Sequence, residues 1–246
     1  MLKAIILALL FSITARAEII EVTKYEEALK YVNNETLFVT DLDNTVVKPA
    51  QTIGSDQWGA AEGKRFAAAG IPEAEAEDLG VGMFTFVQLK TKVLPVESTT
   101  PGILKALAKR GIKTLGLTAR PLVLMDRTLE QLKSVQVSLT GTTAKPNIDF
   151  GKGSVGYQGG VLFVGAHGSK GQILKQYLES NPLKNIKRIV FIDDRSKHTK
   201  TMDEAFAGSA YEVKALRYGA IDPIVKALDM NKAKQEWEDF LTTGKL

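Results

Sequence analysis

Phe38-Val39-Thr40-Asp41-Leu42-Asp43-Asn44-Thr45-Val46-Val47 is the stretch from which the rest of this chain can be read. Leu37, Phe38 and Val39 are apolar and strand-forming, and they read as a short buried strand. Two carboxylates follow at i and i+2. In an extended segment Asp41 and Asp43 therefore share one face, just past the strand's carboxyl end. In open parallel α/β sheets that is where ligands bind. Two unit charges about 4 Å apart repel by roughly 4 kcal/mol at an effective dielectric near 20. A pair so placed calls for a cation between the two acids, or for a chemical task. The plainer reading is a helix N-cap or an Asx-turn, with Asp and Asn punctuating a loop.

Working outward, three later stretches have the same form of an apolar strand or a helix start carrying a polar group. Residues 112–117 read as a strand that ends in Thr118-Ala119-Arg120-Pro121. A helix precedes it, with Thr99-Thr100-Pro101 at its start, Ile103, Leu104 and Leu107 on its apolar face, and Gly111 at its end. Ser169-Lys170-Gly171 opens a helix over 172–178. A lysine there opposes the helix dipole, which costs a few tenths of a kcal/mol unless an anion sits nearby. Ile189-Val190-Phe191-Ile192 is a strand ending in Asp193-Asp194-Arg195.

Taken in order, these pieces resemble the four motifs of the haloacid dehalogenase superfamily of phosphohydrolases. Asp41-Leu42-Asp43-Asn44-Thr45 is similar to its first motif, D-x-D-x-[T/V], and the resemblance spans about residues 35–218. It implies a Rossmann-like α/β fold, a parallel sheet flanked by helices. It further implies that Asp41 attacks phosphorus and that Asp43 serves as acid and base. Thr118 and Lys170 would hold the phosphoryl oxygens, with Leu42, Asn44, Ala119 and Arg120 close to the substrate. Mg²⁺ would be held by Asp41, the Asp43 backbone carbonyl, Asp194 directly and Asp193 through water. Arg120 is placed to contact a substrate anion or the cap, or else is a surface charge. Asn44 stands where an acid is frequent in the family.

Residues 50–97 separate the first strand from the next βα unit by far more than a usual loop. They read as two helices, 56–69 and 73–92, broken at Gly70-Ile71-Pro72, with no convincing strand. In the family an insert at this point is a small helical cap over the active site. Gly54-Ser55-Asp56-Gln57-Trp58 resembles a sequence found there in some exported bacterial members. Trp58 either stacks on substrate or anchors the cap helix from a half-buried position.

The remainder bounds the answer. At 246 residues with no cysteine, the chain has neither disulfides nor thiol chemistry. A net charge of +4 and the lack of a Lys/Arg run argue against a nucleic-acid groove. Residues 1–17 read as a secretory signal peptide, with Lys3, an apolar run over 4–13 and Ala15-Arg16-Ala17 before Glu18. The expected mature domain, 18–246, is then periplasmic or secreted, with no membrane anchor. Thr23 to Glu26 fits a capping box for a short helix ending at Val32. A helix is expected over 122–133, and a loop or hairpin over 140–160. The glycine string 151–156 is no dinucleotide site, since a strand and not a helix follows it. After the paired acids come a helix over 200–206, a strand over 211–216, and helices over 221–228 and 232–241.

A dehalogenase needs no second Asp. Only His167 and His198 exist, neither in a triad context, and His198 reads as a polar helix residue. The expectation is a phosphatase acting on a small phosphomonoester. The rival from another class is an inactive binding protein on the same fold.

Overall fold

The computed structural model describes residues 19–142, 155–165 and 168–246. The expected leader, His167 and most of the glycine string lie outside the described residues. Three apolar runs buried on both faces make the centre of the sheet, as parallel strands must when helices cover both sides. In chain order the first strands are β1 (Ile20–Val22), β2 (Thr36–Thr40) and β3 (Val47–Pro49). Helices α1 (Asp56–Ala68) and α2 (Glu73–Gln88) follow, then β4 (Val93–Pro95), α3 (Thr100–Lys109), β5 (Lys113–Thr118) and α4 (Met125–Ser134). The second half is β6 (Gly156–Gln158), β7 (Val161–Phe163), α5 (Lys170–Ser180), β8 (Arg188–Asp193), α6 (Ser196–Phe206), β9 (Glu212–Tyr218), α7 (Asp222–Lys226) and α8 (Met230–Thr243).

Seven strands form one sheet in the order β1-β9-β8-β2-β5-β7-β6, parallel except for the β6–β7 hairpin. The period-2 rule divides the core cleanly. Phe38 and Val190 face α3 and α4 residues such as Leu104 and Leu132. Leu37, Val39 and Phe191 face Leu174 and Tyr177 of α5 and Met202 of α6. A buried phenylalanine such as Phe38 contributes about 1.5–3 kcal/mol. β2 lies between β5 and β8, so the chain leaves it in one direction and later returns on the other side. Its carboxyl end is thus a topological switch point, where side chains from three strand ends converge.

The helices α1 and α2 pack as a hairpin beside those strand ends. A Cβ on Gly80 would lie 2.5 Å from the Gly59 carbonyl and 2.9 Å from the Gly63 amide, so any side chain there would force the helices apart. The hairpin is rooted on a two-stranded antiparallel ribbon, with Val47 opposite Pro95 and Pro49 opposite Val93. β4 of this ribbon corrects the expectation of no strand in 50–97; three residues are too few for a periodic signal. Trp58 is 1 % exposed and packs against Trp237 of α8 at 6.0 Å between rings, so it anchors α1 rather than facing a substrate. Glu236 of α8 also accepts the Thr52 and Ile53 amides at 2.8 and 2.9 Å.

Two N-terminal details differ from the sequence reading. Glu27, not Glu26, accepts the Thr23 and Lys24 amides, at 3.0 and 2.9 Å, and the turn that follows, Tyr25–Tyr31, is 3₁₀. β1 forms an additional edge strand on β9. The expected helix over 122–133 begins as a 3₁₀ turn, Leu122–Leu124. No helix among the described residues is long and apolar enough to cross a membrane.

Candidate active site

Asp41 follows β2 directly, and its amide continues the ladder to the Ile192 carbonyl at 2.9 Å. The chain then turns sharply. The amides of Val46 and Val47 both donate to the Leu42 carbonyl at 2.9 Å, and Asn44 sits at a left-handed φ of 63°. Asn tolerates that region better than most residues, a local reason for Asn at this position. The turn brings Thr45 back so that its hydroxyl donates to Asp41 Oδ2 at 3.0 Å and accepts the Asp194 amide at 3.2 Å. One hydroxyl thereby ties the ends of β2 and β8 together.

Lys170, at the first turn of α5, is 1 % exposed and lies between two carboxylates. It pairs with Asp41 and, at 2.7 Å, with Asp193. The following Gly171 is required for this approach, since a Cβ there would lie 2.2 Å from the Thr201 carbonyl of α6. Burial alone would lower the Lys170 ammonium; Asp193 and Asp41 outweigh it and hold it above its usual range. Burial raises the Asp193 carboxyl, but Lys170 and then His198 bring it down to about 2. His198 places Nδ1 3.1 Å from Asp193, and since a carboxylate only accepts, Nδ1 carries the proton. Burial and Lys170 lower the His198 pKa.

Asp41 and Asp194 are left with too little positive charge. Burial, opposed by Lys170 and assisted by Asp193 and Asp43, raises Asp41 to about 7. Burial together with the charges of Asp41 and Asp193 pushes Asp194 up to about 9. Asp41, Asp193 and Asp194 each offer a carboxylate oxygen, and these atoms all lie within 4.8 Å of one another. Three hard oxygen donors with an unbalanced negative charge fit a divalent cation such as Mg²⁺.

Asp43 has a different partner. Arg120 grips both of its oxygens, Nε to Oδ2 at 2.7 Å and Nη2 to Oδ1 at 2.8 Å. Nη1 donates to Thr128 at 3.0 Å and to Gln131 Oε1 at 2.6 Å, both on α4. Nη2 also reaches Gln88 Oε1, the last residue of α2, at 3.4 Å. All five guanidinium N–H groups therefore have acceptors, and the side chain is 1 % exposed. Of the destinations weighed for Arg120, the structure brings it to the hairpin and to Asp43; it is no surface charge.

A cavity of about 380 Å³ lies between these strand ends and the hairpin. Asp41, Asp43, Thr118, Ala119, Lys170 and Asp194 line one side, and Gly59, Ala60, Val81 and Phe84 the other. Asp193 lies behind this wall, 0 % exposed. Leu42 and Asn44 are not at this cavity. The Leu42 side chain is wholly in the core, because its position between the two acids points it the opposite way. Asn44 donates to Gln57 at 3.2 Å and borders a separate recess of about 180 Å³. The sequence reading gave Thr45 a place in the motif but no role, and passed over Gln88, Gln131 and the link from His198 to Asp193. Apart from Thr45, only His198 had a local signal, a polar residue on the first turn after paired acids.

The chain belongs to a family described as protein of unknown function DUF2608, whose model matches residues 18–243. A Chlamydia pneumoniae protein, whose name assigns it provisionally to the outer membrane, is 26% identical over 208 residues, 81% of this chain and 78% of that one. Among solved structures, a hydrolase from Pseudomonas syringae aligns with a TM-score of 0.44 and 14% identity over 81% of this chain and 89% of its own. A haloacid dehalogenase-like hydrolase from Streptococcus pneumoniae aligns with a TM-score of 0.42 and 12% identity, over 76% and 90%.

Proposed function

We propose that this protein is a Mg²⁺-dependent phosphohydrolase of the haloacid dehalogenase type, hydrolysing a small phosphomonoester through an aspartyl-phosphate on Asp41. The observation that carries the reading is the convergence of Asp41, Asp43, Thr118, Lys170 and Asp194 on one cavity, from three strand ends and one helix start. Phosphoryl transfer asks for in-line geometry and positive charge on the equatorial oxygens, and little else.

In the first step an Asp41 oxygen bonds to phosphorus as the ester P–O bond breaks. The departing oxygen takes the Asp43 proton. In the second, water attacks the same phosphorus, Asp43 takes its proton, and the P–O bond to Asp41 breaks, releasing phosphate. The Thr118 hydroxyl and the Lys170 ammonium orient the phosphoryl oxygens. Mg²⁺, held by Asp41, the Asp43 carbonyl and Asp194, with Asp193 behind, would supply further positive charge to those oxygens. Thr45 and Lys170 hold Asp41 in one orientation. The α1–α2 hairpin acts as the cap, and its side of the cavity, where Lys64, Glu73 and Glu77 stand beside Gly59, Val81 and Phe84, takes the leaving group.

A panel of phosphate esters, assayed with Mg²⁺ and with EDTA, tests the reading. Metal-dependent release of phosphate is expected. Phosphate found on a serine or histidine of the acid-quenched enzyme, or turnover indifferent to EDTA, would overturn it. We further propose export, from the pattern over residues 3–17. N-terminal sequencing should find Glu18 first in the extracytoplasmic fraction, and a protein retaining Met1 in the cytoplasm counts against it.

A further inference from the structure

The cavity floor contains an arginine that the reaction above does not use. Arg120 is buried, and its fork is filled by five acceptors from three elements. Two of those acceptors, Gln131 and Gln88, are themselves buried, at 2 % and 0 % exposure. They are bonded to each other, Gln131 Nε2 donating to Gln88 Oε1 at 2.8 Å. Gln131 Nε2 also donates to the Thr91 carbonyl at 2.9 Å, and Gln88 Nε2 to the Gly54 carbonyl at 2.6 Å. Gly54 and Thr91 flank the start of α1 and the end of α2, the two roots of the cap. An unbroken hydrogen-bonded chain thus runs from the cap roots through Gln88 and Gln131 to Arg120 and on to both oxygens of Asp43.

Buried amides at this depth are costly to leave unpaired. This set is closed only when the cap root, α4 and Asp43 are all in register. We propose that Gln88 and Gln131 are positioning residues for Asp43, holding Arg120 so that the Asp43 carboxyl has one orientation toward the leaving group. In the resting arrangement Arg120 donates to both Asp43 oxygens, so Asp43 acts as acid only when one oxygen turns out of the pair into the cavity and takes up a proton there. Gln88 Oε1, 3.4 Å from Nη2, accepts the second Nη2 proton and so ties the guanidinium to the end of α2. Because Gln88 is a cap residue, the seat of the cap and the freedom of Asp43 are one variable.

This inference rests on the phosphohydrolase reading, and the experiment separates the two. Wild type is first shown to carry phosphate on Asp41 after acid quench; if it does not, that reading fails and the inference falls with it. Gln131→Met and Gln88→Met are then compared with wild type on p-nitrophenyl phosphate, whose leaving group needs no proton, and on glycerol phosphate, whose alkoxide does. The expected result is a p-nitrophenol burst rate within about threefold of wild type and turnover of glycerol phosphate reduced by roughly 10- to 100-fold, within the range assigned to misplaced general acids. If Gln131→Met does not fold, Gln88→Met, which leaves Asp43, Arg120 and Gln131 intact, gives the same reading. Equal losses on both esters, or no loss on either, would overturn the proposal.

Discussion

Asp41 and Asp43 leave one strand end two residues apart, yet their neighbourhoods have opposite electrostatic character. Asp41 shares a single lysine with Asp193 and has Asp194 close by, so negative charge exceeds positive. Asp43 has an arginine to itself, and that arginine's remaining N–H groups go to neutral oxygens. An unbalanced cluster recruits a further cation and moves its pKa values, whereas a balanced pair fixes geometry. The same two-residue spacing thus yields a binding site on one side of the cavity floor and an orienting device on the other.

The largest effects should come from removing each carboxylate in turn. Asp41→Asn is expected to abolish turnover and to leave no covalent species. Asp43→Asn should slow turnover by roughly 10² to 10⁴. With p-nitrophenyl phosphate it should still form phosphoryl-enzyme, which accumulates because water attack is slow. Intact-mass measurement after acid quench checks both, and identical behaviour of the two variants would erase the distinction between the two sides.

Smaller, and specific to the unbalanced side, is the response to pH and metal. Asp194 and Asp41 keep protons in the native state that the unfolded chain loses near pH 4. The metal-free protein should therefore lose stability as pH rises from about 4 toward 9, the value to which Asp194 is pushed. Millimolar Mg²⁺ replaces those protons and should flatten the slope, adding about 2.7 kcal/mol at a hundred times its Kd. Melting curves at pH 5, 7 and 9 with and without Mg²⁺ measure this. Asp194→Ala should remove most of both effects, and a metal-free melting temperature that rises with pH would contradict the charge imbalance.

The smallest effect should come from a charge pair at the cavity rim. Arg195 reaches Asp56 at the start of α1, and the side chains are exposed and partly exposed, at 46% and 33%. Exposed pairs contribute about 0–1 kcal/mol, so Asp56→Ala should shift the melting temperature by no more than roughly 2–4 °C. A larger shift would mean that this contact, and not the network around Arg120, seats the cap.

Much of the architecture was readable because each central strand is an apolar run that stops at a polar residue. Asp41, Thr118 and the Asp193-Asp194 pair were expected at strand ends and Lys170 at a helix start, and they stand there. Short elements held too little pattern: β1, β3 and β4 have three residues each. Side-chain destinations were not readable, because they depend on distant partners. Arg120 and Asp43 are 77 residues apart, and Gln88 and Gln131 are 43 apart. Nothing local marks either glutamine, and Trp58 announced an aromatic anchor without naming Trp237 as its partner.

The clasp between α8 and the start of the hairpin has a bearing on the order in which this molecule is made. Glu236 holds the amides of Thr52 and Ile53 across 184 and 183 residues, and Trp237 closes on Trp58. A chain emerging from the ribosome supplies its early segments first. The sheet can begin to form while α8 is still unmade, and the ribbon and helices of the insert can pair locally. Final docking of the insert, however, must wait for the last helix. The cavity is therefore a late product of folding, completed by contacts of high sequence separation and so of a slow kind to form.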